Sequence, residues 1–251
     1  MTVLGRSPRV LLVSLRDAAD PMAVHELACF ADQAAVPREA FDVHVMQQGR
    51  LPSAGLQAYD AVFFGGSGAY SVLDDVAWIR DGFDALRTVL DARRPAWASC
   101  FGFQGLAVAL GGEVVRDDAR TELGSVRLTL TDAGRACPLM GRLPHAGFWA
   151  QEGHHDHVVV LPPGVTRLAV GEVSPEQACR VDGAPFWASQ FHPELTARTT
   201  VDRFLHYLDL YHPEGGDQGA QATLAALRDG VDSPEVGQLL AWLVREGSSL
   251  R

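Results

Sequence analysis

Cys100 is the first residue of the 251-residue chain whose position suggests nucleophilic chemistry. It stands between an apolar, strand-like run (residues 95–99) and a helix-like run (residues 102–110). A nucleophile at a sharp strand-to-helix turn is exposed at the carboxyl end of a sheet. The free N–H groups and the positive dipole end of the following helix would lower the pKa of a thiol there. We therefore predict that Cys100 is a reactive nucleophile with a depressed pKa.

A thiolate nucleophile needs a base, and the base needs a group that orients it. His192 and Glu194 follow a strand-like segment (residues 186–191), and Pro193 between them forces an extended or turning backbone. Residues two apart in such a backbone point to the same side. Glu194 can then accept a hydrogen bond from one imidazole nitrogen of His192 while the other nitrogen faces the thiol.

A glycine run at residues 65–68, interrupted by Ser67, follows the apolar segment 61–64. Backbone N–H groups at the carboxyl end of a sheet can stabilise a developing oxyanion. Glycine runs are equally common in flexible turns, so that alternative stays open for this segment taken alone.

Composition excludes several classes of function. The chain has 21 basic and 31 acidic residues and a net charge of −10, which argues against nucleic acid and anionic membranes as partners. All basic residues are arginine, so a P-loop lysine and lysine-based Schiff-base or general-base chemistry are excluded. We find no signal peptide pattern, no apolar run long enough to span a membrane and no CxxC pair, and we expect a cytoplasmic protein with free thiols.

Short apolar runs alternate with helical patterns in the first half of the chain, which indicates a parallel sheet covered by helices on both faces. Between residues 123 and 191 the pattern changes to strand-like runs separated by Gly, Pro and Asp, which indicates added antiparallel strands. A helix is predicted over 196–211, followed by a break at 213–217 and two short amphipathic helices at 220–228 and 235–245.

The segment 154–157 contains three histidines and an aspartate, with His145 nearby, and it invites comparison with a zinc site. Adjacent histidines on a strand point to opposite faces, so His154 and His155 would not share a metal. We predict that no metal binds there. Cys29, Cys137 and Cys179 lie in apolar or loop contexts and are expected to be structural.

Taken together, the motifs resemble those of the class I (triad) glutamine amidotransferases. Residues 98–104 (ASCFGFQ) resemble the family's G-x-C-x-G-x-Q elbow, residues 190–194 (QFHPE) match its Q-F-H-P-E motif, and residues 65–67 (GGS) resemble its oxyanion strand. Segments 70–75 and 154–162 look like the stand-alone, GMP-synthase-like branch. The resemblance covers roughly residues 9–210, and three motifs in register are far more specific than any one of them.

The resemblance implies an α/β, flavodoxin-like, doubly wound and mostly parallel sheet with added antiparallel strands and C-terminal helices. Residues 1–212 would form the amidotransferase domain, and residues 213–251 a helical extension packed on it. It also implies hydrolysis of the γ-carboxamide of L-glutamine through a γ-glutamyl thioester, with no cofactor and no metal. The implied site residues are a Cys100–His192–Glu194 triad, an oxyanion hole formed by the N–H groups of Gly66 and Phe101, and glutamine contacts from Gln104, His155 and Asp156.

Ala98 departs from the family pattern, because glycine usually stands at this position. An added methyl could crowd the turn or the glutamine pocket, which leaves open a γ-glutamyl hydrolase acting on another γ-glutamyl amide or conjugate. A catalytically silent binding or regulatory homologue is a third interpretation, which the intact triad motifs argue against. The residues beyond the amidotransferase region cannot encode a synthetase domain, so we expect an ammonia acceptor in another chain or none.

Overall fold

The computed structural model describes residues 7–208 and 217–249. Its strands are β1 (Val10–Ser14), β2 (Phe41–Val45), β3 (Ala61–Phe64), β4 (Ala96–Ser99), β5 (Glu113–Arg116), β6 (Glu122–Leu130), β7 (Phe148–His154), β8 (Asp156–Val160), β9 (Val165–Val170), β10 (Ala178–Val181) and β11 (Phe186–Ser189). Its α-helices are α1 (Met22–Ala34), α2 (Ala77–Asp91), α3 (Phe101–Ala109), α4 (Asp132–Ala136), α5 (Ala197–His206), α6 (Asp217–Arg228) and α7 (Pro234–Glu246).

One nine-stranded sheet organises the chain, in the order β2-β1-β3-β4-β11-β10-β9-β6-β7. The pairs from β2 to β11 are parallel, and the pairs from β11 to β7 are antiparallel. β5 and β8 form a separate antiparallel pair. The predicted α/β architecture, parallel at its centre with antiparallel additions, is confirmed. Its consequence for function is that the carboxyl ends of β3, β4 and β11 meet at one edge of the sheet.

The central strands are apolar throughout because both faces of the sheet are covered. In β3, Phe63 faces a core that includes Phe30 of α1, whereas Phe64 faces a second core that includes Phe103 of α3. Side chains alternate between the faces of a strand, so every residue of the AVFF segment (residues 61–64) is buried. The two cores hold the central strands rigidly, and with them the loops at their carboxyl ends.

The sequence pattern did not predict β5 or α4. β5 has four residues and ends in an arginine, and α4 has five residues and contains glycine, so neither shows a usable period. The predicted helix 196–211 is observed as α5, and residues 209–211 lie outside the described residues. The predicted boundary between residues 212 and 213 also lies outside them, so the division into two units stays a prediction.

The helices near the C-terminus bury apolar side chains against the rest of the structure. Leu239, Leu240 and Leu243 of α7 belong to the core that α1 covers. Leu227 of α6 packs over Gly124 of β6, where a side-chain Cβ would lie 2.6 Å from its methyl group. None of the helices described for residues 7–208 and 217–249 combines the length and the apolar character that crossing a membrane requires.

Candidate active site

Cys100 occupies a strained turn between β4 and α3. Its backbone has φ +50° and ψ −103°, which a residue with a side chain rarely adopts. Two hydrogen bonds fix this conformation: the Cys100 N–H donates to Ser189 O (2.8 Å), and the Gln104 N–H donates to Cys100 O (2.9 Å). Strain that the surrounding structure maintains in this way is typical of functional residues. The sulfur is thereby presented at the carboxyl edge of the sheet.

His192 and Glu194 form the hydrogen-bonded pair that their spacing predicts. The distance from His192 Nδ1 to Glu194 Oε1 is 2.7 Å, and both side chains are buried. Ser99 Oγ donates to the other carboxylate oxygen of Glu194 at 3.1 Å. β11 delivers this segment because it pairs in parallel with β4, with Ser189 opposite Ser99. The pair therefore lies beside the elbow that carries Cys100.

The thiol of Cys100 has hydrogen-bond partners that the sequence did not predict. Gln190 Nε2 donates to Cys100 Sγ at 3.6 Å, and Cys100 Sγ contacts Gly153 O at 3.9 Å. Gln104 in turn donates to Gln190 Oε1 at 3.2 Å. In the described part of the chain, His192 is not among the hydrogen-bond partners of this thiol. Gln190 thus contacts the sulfur directly, and Gln104 supports Gln190. The sequence signal for Gln190 was its place in the matched Q-F-H-P-E motif.

The expected depression of the Cys100 pKa is wrong. Burial raises the pKa of the Cys100 thiol, and the carboxylates of Glu152 and Glu194 raise it further. Arg203 and the Phe101 N–H oppose this effect without overcoming it. The sequence argument counted the helix N-terminus but not the loss of water around the sulfur, and desolvation always favours the neutral thiol. The Cys100 side chain therefore rests as a thiol.

A buried acidic cluster lies behind the cysteine. Burial raises the pKa of Glu152 well above its ordinary value, and Glu122 raises it further. His154 Nε2 lies 3.3 Å from Glu122 and 3.4 Å from Glu152. Burial and the neighbouring carboxyl group therefore both favour the protonated form of Glu152.

The geometry around Gly66 disagrees with its predicted role. Its N–H donates to Glu26 Oε1 at 3.1 Å, so it is not free to bind an oxyanion in this conformation. Glu26 lies on α1, is fully buried, and forms an ion pair with Arg16 at 3.0 Å. A side chain at Gly66 would place a Cβ 3.0 Å from His192 Cε1. The absence of a side chain at Gly66 thus allows close packing against His192. Its N–H could donate to a group in the pocket only if its hydrogen bond to Glu26 were broken.

The second predicted oxyanion donor has a different environment. The N–H of Phe101, the first residue of α3, interacts with the sulfur of Cys100 and lowers the pKa of its thiol. A donor directed at the nucleophile is close to the carbon that the nucleophile would attack. Phe101 therefore keeps its predicted assignment as a hypothesis, and its ring stacks on Trp78 of α2 with a centroid distance of 6.4 Å.

A cavity of about 270 Å³ opens in front of the cysteine. It is lined by residues 67–71 and 74 on one side, and by Cys100, Phe101, Gln104, Arg116 and residues 153–156 on the other. The three predicted glutamine contacts, Gln104, His155 and Asp156, all line it. The sequence did not identify Arg116, because it lies in the unpredicted strand β5.

The polar side chains that line this cavity differ in whether their hydrogen-bonding atoms already have partners. Gln104 Nε2 is already committed to Asp156 O at 2.6 Å. His155 Nδ1 lies 2.9 Å from Thr121 Oγ1 and 3.3 Å from Asp118. Asp156 accepts a hydrogen bond from Ser71 with one carboxylate oxygen, whereas its other oxygen is buried without a hydrogen-bond partner among the described residues. The free oxygen of Asp156 is suited to receive a cationic group of a ligand.

Within the described residues, no group of three or more His, Cys, Asp or Glu side chains is placed to hold a metal ion. His154 Nδ1 instead lies 3.0 Å from the Asp156 carbonyl oxygen. Cys29, Cys137 and Cys179 are buried free thiols, and Cys137 Sγ accepts a hydrogen bond from Trp187 Nε1 at 3.3 Å.

The sequence profile of the glutamine amidotransferase class-I family matches residues 38–207, which contain the elbow, the histidine–glutamate pair and the cavity. The chain belongs to the class-I glutamine amidotransferase family. It is 34% identical over 140 residues to one subunit of the glutamine-hydrolyzing GMP synthase of Sulfurisphaera tokodaii, a match covering 56% of this chain and 70% of that protein.

A longer glutamine-hydrolyzing GMP synthase, that of Kluyveromyces lactis, is 32% identical over 132 residues. That match covers 53% of this chain but only 23% of the relative, so the chain corresponds to one part of that enzyme. The crystal structure of a glutamine amidotransferase from Methylobacillus flagellatus superposes with a TM-score of 0.67 over 98% of this chain and 96% of that one, at 20% identity. The likeness shows that the amidotransferase fold is shared.

Ala98 departs from the pattern of the class-I amidotransferases without entering the cavity. It is fully buried in β4 and is not among the lining residues. A Cβ at Gly102 would lie 3.1 Å from the Ala98 methyl, so this methyl packs under the first turn of α3. The Ala98 methyl therefore packs against the first turn of α3, next to the elbow, and does not narrow the cavity.

Proposed function

We propose that this amidotransferase domain hydrolyses the γ-carboxamide of L-glutamine to glutamate and ammonia, with Cys100 as nucleophile, His192 as base and acid, and Glu194 as the orienting carboxylate. The observation that carries the proposal is the juxtaposition of a strained, cavity-lining Cys100 with the buried His192–Glu194 pair at one edge of the sheet. That combination meets the requirements of a nucleophile, a base and an orienter.

The state of the resting groups determines the first step. Glu194 stays ionised because His192 and Arg203 hold its pKa at about 2 against the opposing effect of burial. The imidazole of His192 donates its Nδ1 proton to Glu194, which leaves Nε2 to accept the thiol proton. As the sulfur attacks the amide carbon, its proton passes to Nε2 and the carbonyl π electrons move to oxygen. The Phe101 N–H is suited to stabilise that oxyanion.

Collapse of the tetrahedral intermediate breaks the C–N bond. His192 returns the proton to the departing nitrogen, which leaves as ammonia, and a γ-glutamyl thioester remains on Cys100. Water then loses a proton to His192 and attacks the thioester, and the sulfur leaves with that proton to give glutamate and the original thiol. The neutral resting thiol means that proton transfer and attack are coupled, with no free thiolate accumulating beforehand.

The charges of the cavity suit the amino acid end of glutamine. We assign the α-ammonium group to the free oxygen of Asp156 and the α-carboxylate to Arg116, both of which line the cavity. Opposite charges on these two side chains select a zwitterionic ligand. The relative from S. tokodaii is named as one subunit of its GMP synthase, which supports transfer of ammonia to a synthetase carried by a separate chain.

The test is release of ammonia and glutamate from L-glutamine by the purified chain, beside Cys100→Ala and the matched control Cys179→Ala in β10. We expect turnover that Cys100→Ala abolishes and Cys179→Ala retains. In parallel, a glutamine-analogue electrophile should add its mass at Cys100. Absence of both turnover and labelling would contradict the proposal, and turnover restricted to other γ-glutamyl amides would favour a γ-glutamyl hydrolase.

A further inference from the structure

Arg203 of α5 reaches the rear of the His192–Glu194 pair. Its Nη1 lies 3.3 Å from His192 Nδ1 and 3.5 Å from Glu194 Oε1, and the residue is 8% exposed. We propose that Arg203 is a positioning residue of this site, whose guanidinium charge keeps Glu194 ionised and His192 uncharged until the thiol transfers its proton. The inference rests on the function proposed above and extends the triad by a fourth group.

Helix α5 presents this arginine inward by its register. The helix begins after Thr196, where a reciprocal capping box with Thr199 fixes the first turn. Arg203 lies on the inward face, whereas Arg198 on the same helix is exposed. The same residue type thus occurs in one buried and one solvated position on a single helix.

Packing alone gives little reason for burying this side chain. A buried guanidinium is costly unless its donors are satisfied. Arg203 Nε and Nη2 are buried without a hydrogen-bond partner among the described residues. The carboxylate that Nη1 contacts is Glu194, which Ser99 and His192 already hold. The arrangement is better explained by its electrostatic effect on the pair than by its contribution to the core.

The direction of the hydrogen bonds defines that effect. Glu194 is an acceptor, so His192 Nδ1 carries a proton and donates it to Oε1. A guanidinium has no acceptor atom, so Arg203 and His192 Nδ1 approach each other as two donors. This approach is tolerable for a neutral imidazole and repulsive for an imidazolium. The same guanidinium attracts the ionised Glu194, so it opposes charge on one partner and supports charge on the other.

Several charged groups face His192 from different elements. Burial lowers the pKa of His192, Glu194 raises it, and Arg203 of α5 and Arg16 after β1 lower it. Arg16 is itself paired with Glu26 and Asp20, which offset its charge, whereas Arg203 lies directly against the ring.

The surroundings of Arg203 also include groups on the side away from the cavity. His25 of α1 interacts electrostatically with Arg203 and Asp202, and burial together with Arg203 lowers the pKa of His25. A neutral His25 adds no charge beside Arg203. The direct contacts of the guanidinium are with the two side chains of the His192–Glu194 pair.

The consequence for the reaction concerns the return of the proton. An imidazolium beside a guanidinium is a stronger acid than one beside Glu194 alone, so it transfers its proton more readily to the departing nitrogen. Removing the charge should leave a more basic His192 that takes a proton from solvent before substrate binds. Activity would then be lost at pH values where the wild type still works.

The test compares Arg203→Gln, Arg203→Lys and Arg198→Gln, the last being the same substitution at an exposed position of the same helix. The first readout is the pH titration of the His192 ring Cε1–H by NMR, which requires no turnover. The second is the acidic limb of kcat/KM for glutamine. An opposite or like charge in contact moves a titration by about 1–3 pH units, so Arg203→Gln should shift both readouts upward by that amount. Arg203→Lys keeps the positive charge, so its titration and pH profile should lie close to those of the wild type. Arg198→Gln should match the wild type in both readouts.

The NMR readout separates this inference from the proposed function. If the His192 titration shifts in Arg203→Gln but the wild-type chain does not hydrolyse glutamine, the proposed function is contradicted and the charge effect of Arg203 is retained. If the wild-type chain hydrolyses glutamine and the titration does not shift in Arg203→Gln, the role of Arg203 is overturned. If Arg203→Gln does not fold, Arg203→Met keeps the buried stem without the charge. The wild type supplies an independent check, because a His192 that titrates at or above the ordinary value of about 6.5 would also overturn the proposal.

Discussion

Gly102, in the first turn of α3, lies against β3 and β4, and replacing it with alanine tests how tightly the elbow is held. A Cβ there would lie 3.1 Å from Ala98 Cβ, 3.1 Å from Phe64 Cβ and 3.3 Å from Phe64 O. Carbon contacts are most favourable at about 3.5–4.0 Å, so the new methyl would be roughly 0.4–0.9 Å too close to both Cβ atoms. These neighbours belong to central strands buried on both faces, which leaves α3 as the element that must move.

The size of the effect follows from two opposing contributions. Overpacking a core costs about 1–3 kcal/mol, and replacing a helical glycine with alanine returns about 1 kcal/mol. We expect Gly102→Ala to lower the free energy of unfolding by up to about 2 kcal/mol and the Tm by up to roughly 8 °C for a chain of this size. Because α3 begins at the elbow, the shift should also displace Cys100, and turnover should fall by more than the stability loss alone would cause.

Gly105 on the same helix is the matched control. A Cβ there would meet Leu86 Cδ1 at 3.2 Å and the Phe83 ring at 3.4 Å, which are the ends of side chains and can adjust. Gly105→Ala should therefore be neutral or stabilising by up to about 1 kcal/mol. Thermal and denaturant unfolding of both variants, with turnover measured in parallel, gives the comparison.

A double-mutant cycle isolates the contact with Ala98. Ala98→Gly alone should cost about 1–2 kcal/mol, since it removes a buried methyl and places glycine in a strand. Combined with Gly102→Ala it relieves one of the close contacts, so the double variant should be more stable than additivity predicts by about 0.5–1 kcal/mol. Strict additivity, or equal effects at Gly102 and Gly105, would refute the packing argument.

Two further predictions concern charges around the cavity. Glu152→Gln should raise the free energy of unfolding at pH 8 but not at pH 4, because folding raises the pKa of Glu152 and the folded state therefore loses stability as pH rises above about 4.5. Equal effects at both pH values in denaturant titrations would contradict this. Arg116→Gln should raise KM for glutamine by about tenfold or more with kcat nearly unchanged, because a charged contact made equally in the ground and transition states is lost. Arg120→Gln, outside the cavity lining, is the control. An unchanged KM in Arg116→Gln would argue against a carboxylate contact at Arg116.

The sequence was informative where a local pattern determines the structure. The apolar run 61–64 and its neighbour at 95–99 predicted strands within a residue of β3 and β4, because strands buried on both faces have an unmistakable composition. The hydrogen bond between His192 and Glu194 was predictable from two-residue spacing around a proline. In each case the sequence pattern that carries the prediction spans only a few residues.

Contacts between distant segments could not be predicted in the same way. Glu26 reaches Gly66 across 40 residues, and nothing in the pattern of α1 marks one of its carboxylates as buried. The predicted direction of the Cys100 pKa shift was wrong for a related reason. The burial that raises this pKa, and after it the effect of Glu152 of β7, come from segments that are distant along the chain. Burial and long-range charge are properties of the assembled fold, and the local rules that located Cys100 contain neither.

The electrostatics of the site explain why hydrolysis would depend on bound substrate. An uncharged thiol and an uncharged imidazole coexist because burial penalises the charged form of each. The Glu194 carboxylate further disfavours the thiolate, and the Arg203 guanidinium further disfavours the imidazolium. Both effects destabilise the thiolate–imidazolium pair that proton transfer from Cys100 to His192 would create. This destabilisation disfavours reaction of Cys100 with electrophiles other than the substrate. A substrate carbonyl whose developing oxyanion is bound by the Phe101 N–H supplies the compensating interaction only during attack. Reactivity would therefore arise with the transition state, where an interaction contributes to rate and not merely to affinity.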